Sequence, residues 1–206
     1  MTFIKVCGIT RAADAEHAVR HGATAVGFVF WPSSPRYVEP QRAADIIVRL
    51  PHSITTVGVF VNQPVEEIER IAEQTGIATV QLHGDEPASY AAALDWPVLK
   101  ATPLATAEAA LAGWPDDTLV LLDAHDPVRR GGTGERVAWA EAARIASSRR
   151  VVLAGGLTPD NVQEAIEVVH PFGVDVSSGV EESPGIKDLN KMTRFLENAR
   201  LAGNGR

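Results

Sequence analysis

The 206-residue chain holds one cysteine, at position 7 in KVCGIT. It ends the apolar run FIKVC and stands just before Gly8. Such a thiol has two readings. Packed away from water, it is a small hydrophobe. Facing a cleft, it is a base or nucleophile, provided its thiolate is accessible near neutral pH. Asp123 poses the same choice at the end of TLVLLD. It is either a general acid or a turn or cap residue. Asp126, beside Pro127 and outside the apolar run, ranks behind it for the acid role.

Other residues could hold a ligand. Arg36, in WPSSPRYV, could grip a carboxylate with two hydrogen bonds or stand solvated in its loop. Gln81 and His83 end the run ATVQLH, where a histidine either touches substrate or makes a structural hydrogen bond. Gly155 and Gly156 in LAGGL, with Ser178 and Gly179 in DVSSGV, let backbone N–H groups approach an anion. SPGIKD, just downstream, could open a short helix that adds its dipole. GGTG (131–134) reads as a flexible cover near the site, and Asp85 as a helix cap for EPASY. The six histidines are scattered, with no HExxH or CxxC, so no metal site is expected.

These residues need elements to position them. Eight apolar runs recur, at 3–7, 23–30, 55–61, 78–83, 97–101, 118–123, 150–156 and 172–177. Most are too continuously apolar to alternate core and solvent, as strands buried on both faces are. Helical patterns lie between them. In TPDNVQEAIEVV, Thr158 caps, Pro159 takes the first helical position, and Val162, Ala165, Ile166 and Val169 share a face. In PVEEIERIAEQTG, Ile68, Ile71, Ala72 and Thr75 do the same, and Gly76 offers a stop. Eight strand–helix units of about 26 residues predict one closed (β/α)8 barrel, a single domain over residues 1–206. An open doubly wound sheet would want GxGxxG after the first strand, and CGITR is not that.

In such a barrel, chemistry sits at the carboxyl ends of the strands, and phosphate often binds after strands seven and eight. Cys7, Arg36, Gln81, His83, Asp123, Gly155, Gly156, Ser178 and Gly179 all fall at such ends or in the loops beyond. One possible base and one possible acid then stand on opposite sides of the mouth, with candidate anchors for charged groups at opposite rims. That arrangement suits proton shuffling without a cofactor.

The net charge of −7 argues against nucleic acid and membrane surfaces as partners. A single cysteine cannot form an internal disulfide, which fits a cytoplasmic setting. No stretch reaches the roughly 18 apolar residues of a membrane span. A monomer or weak homodimer acting on a phosphorylated small molecule is expected.

KVCGIT, GFVFWPSSPRYV, VGVFVN, VQLHGDE, LLDA, GGTG, LAGGL and VDVSSGVEESPGIKD occur here in that order. In these motifs the chain resembles the N-(5′-phosphoribosyl)anthranilate isomerases. The resemblance implies a cofactor-free (β/α)8 barrel that performs an Amadori rearrangement in tryptophan biosynthesis. It implies Asp123 as general acid, Cys7 as general base, Arg36 on the anthranilate carboxylate, and the Gly155-Gly156 and Ser178-Gly179 backbones on the phosphate. Rival readings are the histidine-pathway aminoaldose isomerase, expected to carry an aspartate at position 7, and a catalytically silent barrel that binds phosphorylated ligands.

Overall fold

Each of the eight apolar runs forms a strand, and the strands close on themselves. The computed structural model describes residues 3–124 and 132–204. Its strands are β1 (Phe3–Cys7), β2 (Ala25–Val29), β3 (Thr55–Phe60), β4 (Thr79–Leu82), β5 (Val98–Pro103), β6 (Leu119–Asp123), β7 (Val151–Ala154) and β8 (Gly173–Val176). All pair in parallel in chain order, and β1 pairs with β8 to seal the barrel. The helices are α1 (Ala12–Arg20), α2 (Pro40–Ile47), α3 (Val65–Thr75), α4 (Ala88–Ala93), α5 (Ala107–Ala110), α6 (Gly132–Ala146), α7 (Val162–Val169) and α8 (Leu189–Asn204). A short antiparallel pair, β9 (Glu181–Ser183) and β10 (Ile186–Lys187), follows β8. Among the described residues, no helix is long and apolar enough to cross a membrane.

Strand parity divides the core. On β1, Ile4 and Val6 join the layer between sheet and helices, with Phe28, Ile166 and Phe195. Leu99, Ala101, Leu121, Val152 and Ala154 fill the barrel interior, with Phe3 packed against them. Above that plug stand Cys7, Val29 and Val59. Each fully buried Leu or Phe contributes about 1.5–3 kcal/mol, so the plug is a rigid floor for whatever lies above it.

The apolar faces of α3 and α7 are buried as their periodicity requires. Gly76 ends α3 in the left-handed conformation. Four local expectations fail. First, α7 starts at Val162, not at Pro159. Thr158 and Asn161 form a turn instead, Thr158 N–H donating to Asn161 Oδ1 at 2.8 Å. Second, Asp85 does not cap α4, whose cap position is Pro87. Third, SPGIKD opens no short extra helix, and its last residue, Asp188, instead caps α8 by accepting from the Asn190 and Lys191 N–H groups. Gly185, at φ +80°, turns the chain between β9 and β10, and a 3-10 turn at Ser178–Val180 precedes β9. Fourth, Gly132, Thr133 and Gly134 belong to α6 rather than to a loop. Gly131 and Asp126 lie outside the described residues.

Candidate active site

All nine residues singled out in the sequence line one cavity of about 620 Å³ at the carboxyl ends of the strands. Cys7 contributes from β1, Gln81 and His83 from the end of β4, and Asp123 from the end of β6. Arg36 reaches in from the loop after β2, and the two glycine-containing loops follow β7 and β8.

Cys7 is 8% exposed and flanked by Val29 and Val59, yet it faces this cavity. Burial pushes its thiol above the usual cysteine range; the Lys5 ammonium pulls the other way, and Asp175 adds to the rise. Asp123 is half-buried at the same mouth, level with Ala154 on β7.

Arg36 does not stand free in solvent. Its Nε donates to Glu181 Oε1 at 2.9 Å and its Nη2 to Glu181 Oε2 at 2.7 Å. Lys187 Nζ donates to the same carboxylate at 2.9 Å and to the Ser177 carbonyl at 3.2 Å. Burial alone would raise Glu181, but hydrogen bonds from Arg36 and Lys187 hold it below the usual carboxylate range. The expectation of anchors at opposite rims therefore changes. The loop carrying Arg36 lies across Gly8 and is tied to the segment just after β8, beside the glycine loops. Only β1 separates β2 from β8 around the barrel, so loops after them meet.

Gln81 is almost fully buried, and its Nε2 donates to His83 Nδ1 at 2.9 Å. That leaves the imidazole proton on Nε2. Desolvation keeps His83 below the ordinary histidine range, with Asp123 pulling upward. The residue is exposed at the mouth, and with Nδ1 accepting from Gln81 its ring presents Nε2 there. Among the described residues, Gln81 Oε1 and Ser177 Oγ are buried polar atoms with no partner. Such atoms are costly to leave unpaired, and both belong to residues lining the cavity.

Gly155 and Gly156 have φ of +86° and +67°. Only glycine enters two successive left-handed positions without strain, and the resulting turn brings the backbone to the cavity wall. Gly179 packs against the Leu157 carbonyl, so the loops after β7 and β8 touch. Among the described residues, no three His, Cys, Asp or Glu side chains converge as a metal ion would need.

The sequence reading missed Lys5, Asp175, Glu181, Lys187 and Trp31. Parity could have found Lys5, because residues 5 and 7 of one strand share a face. Asp175 is the same case on β8. Glu181 and Lys187 gave no local signal, since their roles come from the hairpin that brings them to Arg36.

A closed parallel barrel with a carboxylate, a thiol, a guanidinium and glycine-bearing loops at one mouth has the frame of one enzyme class: the (β/α)8 isomerases acting on phosphorylated sugars. Within it, the N-(5′-phosphoribosyl)anthranilate (PRA) isomerase family model matches residues 4–198, and the chain belongs to that family. An N-(5′-phosphoribosyl)anthranilate isomerase of Citrifermentans bemidjiense is 48% identical, covering 97% of this chain and 98% of its own. The crystal structure of the Thermotoga maritima enzyme superposes with a TM-score of 0.89 at 42% identity, over 97% and 99% of the two chains. Another phosphoribosyl anthranilate isomerase, in complex with reduced 1-(o-carboxyphenylamino)-1-deoxyribulose 5-phosphate, gives 0.86 at 41% identity, again over 97% and 99%.

Proposed function

We propose that the chain converts N-(5′-phosphoribosyl)anthranilate to 1-(2-carboxyphenylamino)-1-deoxyribulose 5-phosphate, by acid–base catalysis from Asp123 and Cys7. The observation that carries this reading is their meeting in one cavity that also holds two backbone anion loops and a guanidinium. The relative bound to the reduced product supports it. We also propose that residues 1–206 act as one catalytic domain, as a monomer or weak homodimer in the cytoplasm.

The roles follow from the chemistry. Asp123 gives its proton to the furanose ring oxygen. The C1′–O bond breaks as the anthranilate nitrogen lone pair forms a C1′=N Schiff base. The Cys7 thiolate takes the proton from C2′, leaving an enolamine. Protonation at C1′ and loss of the hydroxyl proton at C2′ then give the ketone. Glu181 accepts two of the five N–H donors of Arg36, and the other three serve the substrate carboxylate. The Gly155-Gly156 and Ser178-Gly179 backbones receive the phosphate. Gln81 and His83 face the ribose, where the buried Gln81 Oε1 finds a hydroxyl donor. Trp31, 40% exposed at the mouth, offers its ring to the anthranilate. Two tethered ends place the ribose between acid and base, so positioning supplies part of the rate.

The test is loss of the substrate's fluorescence when freshly made phosphoribosylanthranilate meets the purified chain. Turnover is expected, and Cys7→Ala and Asp123→Asn should each lower kcat at least about a hundredfold with native circular dichroism. No turnover in the wild type would overturn the activity. Near-normal turnover in either variant would remove that residue from the mechanism.

A further inference from the structure

Beside Cys7 the barrel holds a charge that the steps above leave unused. Lys5 is fully buried two residues earlier on β1, so both side chains point into the barrel. Its Nζ lies 3.0 Å from Asp175 Oδ1 on β8. On the other flank, Gly27 is the register partner of Cys7. A Cβ at Gly27 would stand 2.9 Å from Cys7 Sγ and 3.1 Å from Lys5 Nζ. The missing side chain is thus the space in which thiol and ammonium meet. An ammonium has three N–H donors, and a buried lysine keeps its charge only where anions compensate it. Asp175 is one such anion.

We propose that Lys5, held by Asp175, is the positioning residue for the base: its ammonium is the fixed counter-ion of the Cys7 thiolate. This deepens the functional reading above and rests on it. When the thiolate takes the C2′ proton it becomes a neutral thiol, and Lys5 retains Asp175 as partner. When the proton leaves, Lys5 again faces two anions. The Lys5 ammonium thereby opposes part of the burial that pushes the thiol upward, without opening the site to water.

The other charges facing Cys7 are Lys187 from β10 and Arg36 from the loop after β2. Both are tied to Glu181. His83 and Asp123 line the same cavity, and the packed faces of β2 and β3 offer only Gly27, Val29 and Val59. These groups are identical in every variant below, so differences report on Lys5 and Asp175.

The chain has one cysteine, so thiolate absorbance near 240 nm and the rate of iodoacetamide alkylation against pH read Cys7 alone. Lys5→Met leaves the Asp175 carboxylate to repel a thiolate. Its midpoint should rise by about one unit or more, with alkylation at pH 7 about tenfold slower. Asp175→Asn leaves the ammonium with Cys7 as its anion. Its midpoint should fall, with alkylation about tenfold faster. Lys5→Arg keeps the charge and should titrate near the wild type. A merely structural pair would move both charge-removing variants the same way, or neither, and either result overturns the proposal. If Lys5→Met does not fold, Asp175→Asn decides alone, because an unmoved or raised midpoint refutes the counter-ion. The thiol readings need no turnover. A wild type inactive on phosphoribosylanthranilate whose variants still move apart would sink the functional reading and leave the counter-ion standing. An active wild type whose variants do not move apart would do the reverse.

Discussion

Of the three buried lysines among the described residues, Lys5 and Lys100 stand on barrel strands, each 3.0 Å from a carboxylate, and they serve different ends. Lys100, on β5, donates to Glu86 Oε2 and, at 2.6 Å, to the Gly84 carbonyl. Glu86 in turn accepts from the backbone N–H groups of Asn62 and Gly84. That cluster stitches the loops after β3 and β4 to β5, and neither residue lines the cavity. Lys5 has a single carboxylate partner, and its other flank faces Cys7. The pairs are alike in length and burial. What separates them is whether the hydrogen-bonding capacity is closed among structural groups or left beside a reactive one. A buried salt bridge becomes chemically informative only when its other neighbours are counted.

The sharpest way to break that distinction is Lys100→Met. Removing one partner strands the Glu86 carboxylate in the interior, so stability should fall by about 3–5 kcal/mol, read by urea unfolding. Turnover per folded molecule should stay within a few-fold of wild type, in contrast to the losses expected at Cys7 and Asp123. A loss under about 1 kcal/mol would deny the pair its structural role. A large drop in turnover from a well-folded variant would erase the difference between the two lysines.

The Arg36–Glu181–Lys187 cluster lies between these extremes, since it ties the hairpin of β9 and β10 to the loop after β2 and one of its members, Arg36, lines the mouth. Glu181→Gln should cost about 1–3 kcal/mol at pH 7. The sign of its pH dependence follows from the depressed carboxylate. A group whose folded pKa lies below its ordinary 4.5 contributes stability that is present above that value. The contribution disappears as pH falls through the folded pKa. The gap between variant and wild type should therefore shrink on acidification below about 4.5. A gap constant from pH 7 to 3 would mean that the carboxylate does not pair as an anion. Freed from Glu181, Arg36 should also hold substrate less precisely and raise KM.

Much of this was legible in advance for a physical reason. Strands buried on both faces announce themselves as unbroken apolar runs, so β1 to β8 and the order of their ends could be read directly. The strand-end rule then placed Cys7, Asp123, Gln81 and His83 at one mouth. What stayed hidden was whatever depends on contacts distant in sequence. Lys5 and Asp175 lie 170 residues apart, and Arg36 and Glu181 lie 145 apart. Neither pairing leaves a local mark, although strand parity alone turns Lys5 and Asp175 inward. The start of α7 was misplaced for the opposite reason, since the Thr158–Asn161 turn competes with the helix for the same short polar residues.

The same competition makes Asp85 the most delicate probe. By residue type it is the better helix cap, and Glu86 beside it looks like an ordinary surface acid. The structure reverses these weights. Asp85 is exposed, and it is its backbone N–H, at 2.7 Å from Asn62 Oδ1, that holds the loop. Glu86 is buried and carries the cluster with Lys100. Asp85→Ala keeps the backbone donor, so unfolding should move by no more than about 0.5 kcal/mol. A loss above 1 kcal/mol would return the capping role to Asp85. The structural weight of this corner would then no longer rest on the Lys100 pair alone.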